Sequence, residues 1–156
     1  MKTHYLTPLL FVGALLFVGT AAKFQASTEN SPTTLTVIEH ASTNEVTDLG
    51  AHGDSVGDTL TFANPVYDET DKTRIGNDSG FCVRTFVGQV WQCSLTMALA
   101  TPGGQITIEG AYYDVRDSTL AITGGMDAYE GVRGEVTRHA TKPDRSEYEL
   151  TFKFMQ

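Results

Sequence analysis

The sequence lacks most of what marks a familiar enzyme. It has no phosphate-binding loop, no dinucleotide glycine pattern and no nucleophile elbow, which removes nucleotide-dependent and serine-hydrolase chemistries from consideration. Beyond residue 22 the only histidines are His40, His52 and His139, far apart and without metal-ligand spacing. Each reads as a surface residue, and no metal site is expected. No stretch beyond residue 22 holds a period near 3.6 residues, and glycine and proline recur too often for long helices. Nothing repeats at a fixed interval, and there is no low-complexity segment. Charge of one sign is never concentrated: the net charge is −8, but the acids are scattered. An acidic surface repels phosphate backbones and anionic lipid, so neither nucleic acid nor a membrane surface is an expected partner.

Long apolar runs are also absent, except at the start. Lys2 precedes a largely apolar run from Leu6 to Val18, and Gly19-Thr20-Ala21-Ala22 supplies small residues for cleavage. That is the pattern of a secretory signal peptide over residues 1–22. The run is shorter than the roughly 20 residues a membrane-spanning helix needs. A secreted product is therefore expected, with a polar, flexible lead-in over 23–33 and a single domain over 34–156. The leader carries one lysine and no acid, so its removal takes the net charge from −8 to −9.

The chain has two cysteines, Cys82 and Cys93. In an exported protein such a pair is expected to form a disulfide, although two buried free thiols would also pack well. If Val87-Gly88 is a two-residue turn, Phe86 faces Gln89 and Cys82 faces Cys93, within disulfide reach.

What the sequence does contain is alternation. Trp91, Cys93, Leu95, Met97 and Leu99 share one face of a strand, and Gln92, Ser94, Thr96 and Ala98 share the other. The clearest strand is 147–154, with Tyr148, Leu150, Phe152 and Phe154 on one side and Glu147, Glu149, Thr151 and Lys153 on the other. Further strands are expected over 34–41, 59–67, the hairpin 81–99, 105–115, 120–123 and 132–139. Residues 42–58 read as a long loop and 68–80 as a charged turn region. The second of these contains Asp68-Glu69-Thr70-Asp71, which lacks the ligand alternation of a calcium loop, and the sequon Asn77-Asp78-Ser79. The fold expected is all-β: about eight antiparallel strands, closed into a calycin-like barrel with room for one small ligand. A two-sheet sandwich is the alternative.

Two constellations stand out. Glu39 shares a strand face with Leu35 and Val37, an odd place for an acid unless the site uses it or that face is wet. Arg84 and Trp91 oppose one another in the hairpin; the guanidinium either holds a carboxylate-bearing ligand over the indole or lies along it at the surface.

Several motifs carry a family likeness: Ser55-Val56-Gly57-Asp58, then Phe62, Asn64 and Tyr67, then Gly80, Cys82 and Val83, then ITIEGAY at 106–112, and most specifically LAITGGMDAYEGVRGEV at 120–136. In these residues the chain resembles plant allene oxide cyclase and, more loosely, dirigent and bacterial dirigent-like proteins. It departs from the family pattern at Ala41, in lacking a Ser-Pro pair in the following loop, and at Met126-Asp127. The resemblance implies a cofactor-free barrel with an apolar cavity that takes a hydrophobic small molecule. It implies that a first-strand glutamate favours opening of a fatty-acid epoxide, that an asparagine holds a water on the epoxide oxygen, and that the wall fixes one stereoisomer. On that resemblance Glu39 and Asn64 are the catalytic pair, and Phe62, Cys82 and Tyr112 contact the substrate. The family includes trimers, so a homo-oligomer, trimer or dimer, is implied as well. The expected function is steered cyclisation or isomerisation, or stereoselective coupling. The alternative is a secreted, non-catalytic carrier of lipids or phenolics.

Overall fold

Alternating apolar and polar residues, punctuated by glycine turns, build nine strands: β1 (Thr34–His40), β2 (Glu45–Thr47), β3 (Thr59–Asp68), β4 (Arg74–Phe86), β5 (Val90–Leu99), β6 (Gly104–Tyr113), β7 (Ser118–Asp127), β8 (Gly134–Ala140) and β9 (Glu147–Phe154). The computed structural model describes residues 34–155, and the expected leader and lead-in over 1–33 lie outside the described residues. There is no helix among the described residues.

The strands form one antiparallel sheet in the order β1-β9-β8-β7-β6-β5-β4-β3-β2, and β1 also pairs with β3. That extra pairing, Val37 to Asp68 through Glu39 to Val66, closes eight strands into a ring. The short β2 is left hanging on β3 beyond the end of β1, with Glu45 opposite Thr61. Closure removes the exposed edges a sandwich would leave.

The inward faces are those expected from alternation. Val37, Val66, Met97, Ile106, Ile108, Val136, Leu150 and Phe152 are almost wholly buried and fill the interior. Each such side chain stabilises the fold by about 1.5–3 kcal/mol relative to exposure. Cys82 faces Cys93 across β4 and β5, and the two are joined in a disulfide with their Cα atoms 4.0 Å apart.

Some boundaries differ from the sequence reading. β4 begins at Arg74, so most of the supposed turn region 68–80 is strand, with Asn77 and Ser79 facing out and Asp78 facing in. The turn proper is short and organised by Asp68, whose Oδ1 accepts from the Thr70 and Lys72 backbone N–H groups and the Thr70 hydroxyl. Those donors, the Lys72 N–H foremost, pull its carboxyl down to about 2. The loop 42–58 contains β2. The β4–β5 register places Phe86 opposite Val90, because a bulge lies between Arg84 and Phe86, while Cys82 and Cys93 keep the expected pairing.

β7 runs on to Asp127 through Gly124 and Gly125, which carry no side chains to display alternation. A Cβ on Gly125 would lie 2.3 Å from the Tyr129 carbonyl oxygen, so only glycine fits there. Asp127 takes a left-handed φ of 58° beside it and begins the tight turn that returns the chain to β8.

Candidate functional site

The interior of one end of the barrel is polar. Glu39, on β1, is buried and points inward from between the apolar neighbours that made it conspicuous. Its Oε1 accepts from the Asn64 side-chain amide at 2.8 Å, and its Oε2 accepts from Arg138 Nε at 3.2 Å. Arg138 comes from β8, where it alternates with Val136 on the inward face. Its guanidinium carbon sits 3.0 Å from the ring centroid of Tyr148 and 4.5 Å from that of Tyr112. Cationic charge over an aromatic face is attracted by the ring quadrupole. Burial is the largest influence and works against the Arg138 charge, but the Glu39 carboxylate, with Tyr112 and Tyr148, together outweigh it and hold the guanidinium protonated. Burial raises the Tyr112 hydroxyl well above its ordinary value, so it stays neutral.

Asn64 anchors more than Glu39. Its Oδ1 accepts from the backbone N–H groups of Ser42 and Thr43 and from the Thr43 hydroxyl, at 3.0–3.1 Å. One side chain thus fixes both the glutamate and the loop that follows β1. Asp78, paired with Asn64 across β3–β4, is wholly buried. Neither of its oxygens has a hydrogen-bond partner among the described residues. Burial, and then the neighbouring Glu39 charge, push its carboxyl up to about 8, with Arg138 pulling the other way. The Asn64 backbone N–H also lowers it, but is not aligned as a hydrogen bond.

A cavity of about 210 Å³ opens above the Glu39–Arg138 pair. Leu60, Phe62, Trp91, Tyr112, Tyr113 and Tyr148 supply its apolar wall, and Asn44, Asp114 and Arg145 its polar rim. The structure therefore brings Glu39, Phe62 and Tyr112 together on one cavity. Asn64 stands behind Glu39, off the wall. Cys82, fully buried and disulfide-bonded, takes no part in the wall either.

Arg84 and Trp91 are opposed as expected, with the guanidinium carbon 3.9 Å from the indole centroid. The Arg84 charge is met from within the chain. NH1 donates to Asp114 Oδ2 at 2.7 Å, and Nε lies 2.6 Å from Asp54 Oδ1 in a charge contact too bent for a hydrogen bond. Asp54 belongs to the loop leading into β3, whose shape follows from the Ser55-Val56-Gly57-Asp58 motif. The Asp58 carboxylate accepts from the Leu49 and Ser55 N–H groups and the Ser55 hydroxyl. Gly57, at φ 100°, donates its N–H to the Arg84 carbonyl.

The histidines pair with acids near the surface: His40 with Asp71 at 2.7 Å, His139 with Asp117 at 2.9 Å and His52 with Asp48 at 3.4 Å. His40, Asp71 and Glu147 offer ligand atoms within 4.8 Å of one another. The Lys142 ammonium already occupies Glu147, so a cation there would have to displace it.

Sequence reasoning missed Arg138, Tyr148, Asp78 and Arg145. Tyr148 was visible as an inward residue of its strand but not as a partner for charge. The only trace of Arg138 was its two-residue spacing from Val136.

The family model described as allene oxide cyclase matches residues 24–143. Among solved structures, a pyocyanin demethylase is 27% identical, with TM-score 0.67 over 78% of this chain and 99% of that one. A pterocarpan synthase dirigent protein, 17% identical, superposes with TM-score 0.62 over 80% of this chain and 96% of its own. A Diels–Alderase from Streptomyces koyangensis, 14% identical, superposes with TM-score 0.58 over 78% of this chain and 64% of its own. The last two likenesses are of fold.

Proposed function

The chain belongs to the allene oxide cyclase family, and from that premise we propose that its barrel takes a small, largely apolar molecule into the cavity and steers a cyclisation or isomerisation there, or a stereoselective coupling. The observation that carries this reading is the buried Glu39–Arg138 pair set beneath an aromatic wall. Both charges are held by fixed partners before any ligand arrives, so little reorganisation is needed as charge develops in the bound molecule. Glu39 stabilises developing positive charge and Arg138 a developing oxyanion. Asn64 fixes the Glu39 carboxylate. Phe62, Trp91, Tyr112 and Tyr148 restrict the molecule to one folded shape, which is how a wall without reactive groups selects a stereoisomer. No cofactor enters this reading. It includes export behind a cleaved leader, supported by the leader's pattern and the disulfide, and a homo-oligomer by family analogy.

One observation favours the carrier alternative. Arg138 neutralises the Glu39 charge on which epoxide opening would draw. Native mass spectrometry and chiral chromatography after incubation with an unsaturated fatty-acid epoxide, and separately with phenoxyl radicals, distinguish the two. The steering reading expects one enantiomer in excess from at least one substrate, and loss of that excess in Glu39→Gln protein that still melts cooperatively. Stoichiometric uptake with racemic product at the uncatalysed rate would leave only a carrier.

A further inference from the structure

Most charged side chains around the cavity are matched. Glu39 pairs with Arg138, and Asp114 with Arg84. Arg145 is the exception: it makes no ion pair among the described residues. Its Nε donates to the Tyr148 hydroxyl at 3.2 Å and its NH2 to the Tyr113 carbonyl at 3.3 Å, both neutral acceptors. The acids nearest in sequence are engaged elsewhere. Asp144 accepts from the backbone N–H and hydroxyl of Ser146, and Glu147 holds Lys142.

The backbone reinforces the point. Arg145 has φ of 56°, in the left-handed region that favours glycine. Such a conformation costs of order 1–3 kcal/mol in a non-glycine residue and concentrates at functional sites. Here it directs a half-buried guanidinium to the rim of a cavity whose wall includes Phe62, Trp91, Tyr112, Tyr113 and Tyr148. Arg145 also borders an adjoining surface hollow shared with Arg116 and Lys142. Of the other charges there, Lys142 is held by Glu147, Asp114 shares Arg84 with Asp54, and Asp117 pairs with His139, which carries charge only when protonated. Arg145 and Arg116 are the cations of this mouth that pair with no acid among the described residues.

We propose that Arg145 makes the cavity selective for a planar aromatic anion, with its rings against Trp91 and Tyr112 and its carboxylate, or a comparable oxyanion, on the Arg145 guanidinium. The proposal rests on the preceding reading of the cavity as a ligand site and names the class of ligand. Size supports it. About 210 Å³ is below the ~300–1,000 Å³ of drug-sized pockets, enough for a small ring system but not for a long acyl chain. A planar fork of donors matches a carboxylate in two hydrogen bonds.

Isothermal titration calorimetry with 2-naphthoate and 2-naphthamide, equal in shape and different in charge, tests this on the purified protein. The wild type is expected to bind naphthoate about tenfold more tightly than the amide, the scale of one charge-assisted hydrogen bond. Arg145→Gly and Arg145→Gln should bind the two probes equally. Arg145→Gly should also melt no lower than the wild type, since glycine relieves the left-handed φ, so loss of preference cannot be blamed on unfolding. Equal binding of both probes by the wild type, or a preference that survives in Arg145→Gly, would overturn the anion assignment and leave the cavity reading standing. Failure of the wild type to bind either probe would overturn both.

Discussion

Arg138 Nε donates to Glu39 Oε2 across the interior of the barrel, from β8 to β1, strands that share no ladder and lie 99 residues apart in sequence. The pair ties opposite ends of the chain together through a bond that is buried on both sides. Removing one partner of such a pair strands the other charge in the interior, at a cost of about 3–5 kcal/mol. Arg138→Met should therefore lower stability by that order, and the double variant Arg138→Met with Glu39→Gln should recover much of it. Urea denaturation of the four proteins measures the coupling directly. Additive losses in the double variant would mean that the two side chains do not depend on each other.

Asp78 predicts a pH dependence with a definite sign. Its folded carboxyl is pushed up to about 8 from an ordinary 3.8, so between those values the folded protein holds a proton that the unfolded chain has released. Stability contributed by this group is therefore present at low pH and lost as pH rises from about 4 towards 8. Asp78→Asn copies the protonated form and should remove that decline, melting at or above the wild type at pH 8. Parallel pH profiles of melting temperature for the two proteins would show that Asp78 is ionised throughout.

Asn64 holds the loop after β1 through three hydrogen bonds to its side-chain oxygen. Asn64→Ala should free the Ser42 and Thr43 amides, and their hydrogen exchange should speed up at least tenfold relative to the amides of β9. A cost of about 1–3 kcal/mol is expected for the acceptor lost to these donors. Unchanged exchange at Ser42 and Thr43 would show that the loop is held by something else.

The disulfide closes a short loop, with 11 residues of separation between Cys82 and Cys93. Replacing both by alanine should cost about 2–3 kcal/mol, near the value for loops of this size. Because Cys82 stands off the cavity wall, binding of 2-naphthamide should be unaffected in that variant at a temperature where it remains folded. A weakened amide affinity would place the bridge in the site after all.

The sequence announced the strands that alternate cleanly, β5 and β9, because burial on one face and water on the other leave a two-residue imprint on composition. β4 was half hidden for the opposite reason. Asp78 faces the interior where an apolar residue would have continued the pattern, so a strand read as a polar turn. The extension of β7 vanished into Gly124 and Gly125, which have no side chains to alternate. Glu39 was legible as an acid among apolar neighbours, and the family likeness pointed to the same residue. Its guanidinium partner was not, since Arg138 reaches Glu39 only because β9 pairs with β1 on one side and β8 on the other, and local alternation does not encode strand order. Arg145 was harder still: its place at the cavity depends on a single left-handed residue in a loop, which local composition does not encode.

The ring is joined by only three residue pairs between β1 and β3, and Glu39 is one of them. The floor of the proposed site is therefore assembled at the seam, by the shortest ladder in the ring. A chain that has built every hairpin but not drawn this last stitch has all the residues of the proposed site without its shape. Binding in the proposed site would then report on completed closure rather than on secondary structure, and heat should abolish it at the seam before the sheet itself comes apart.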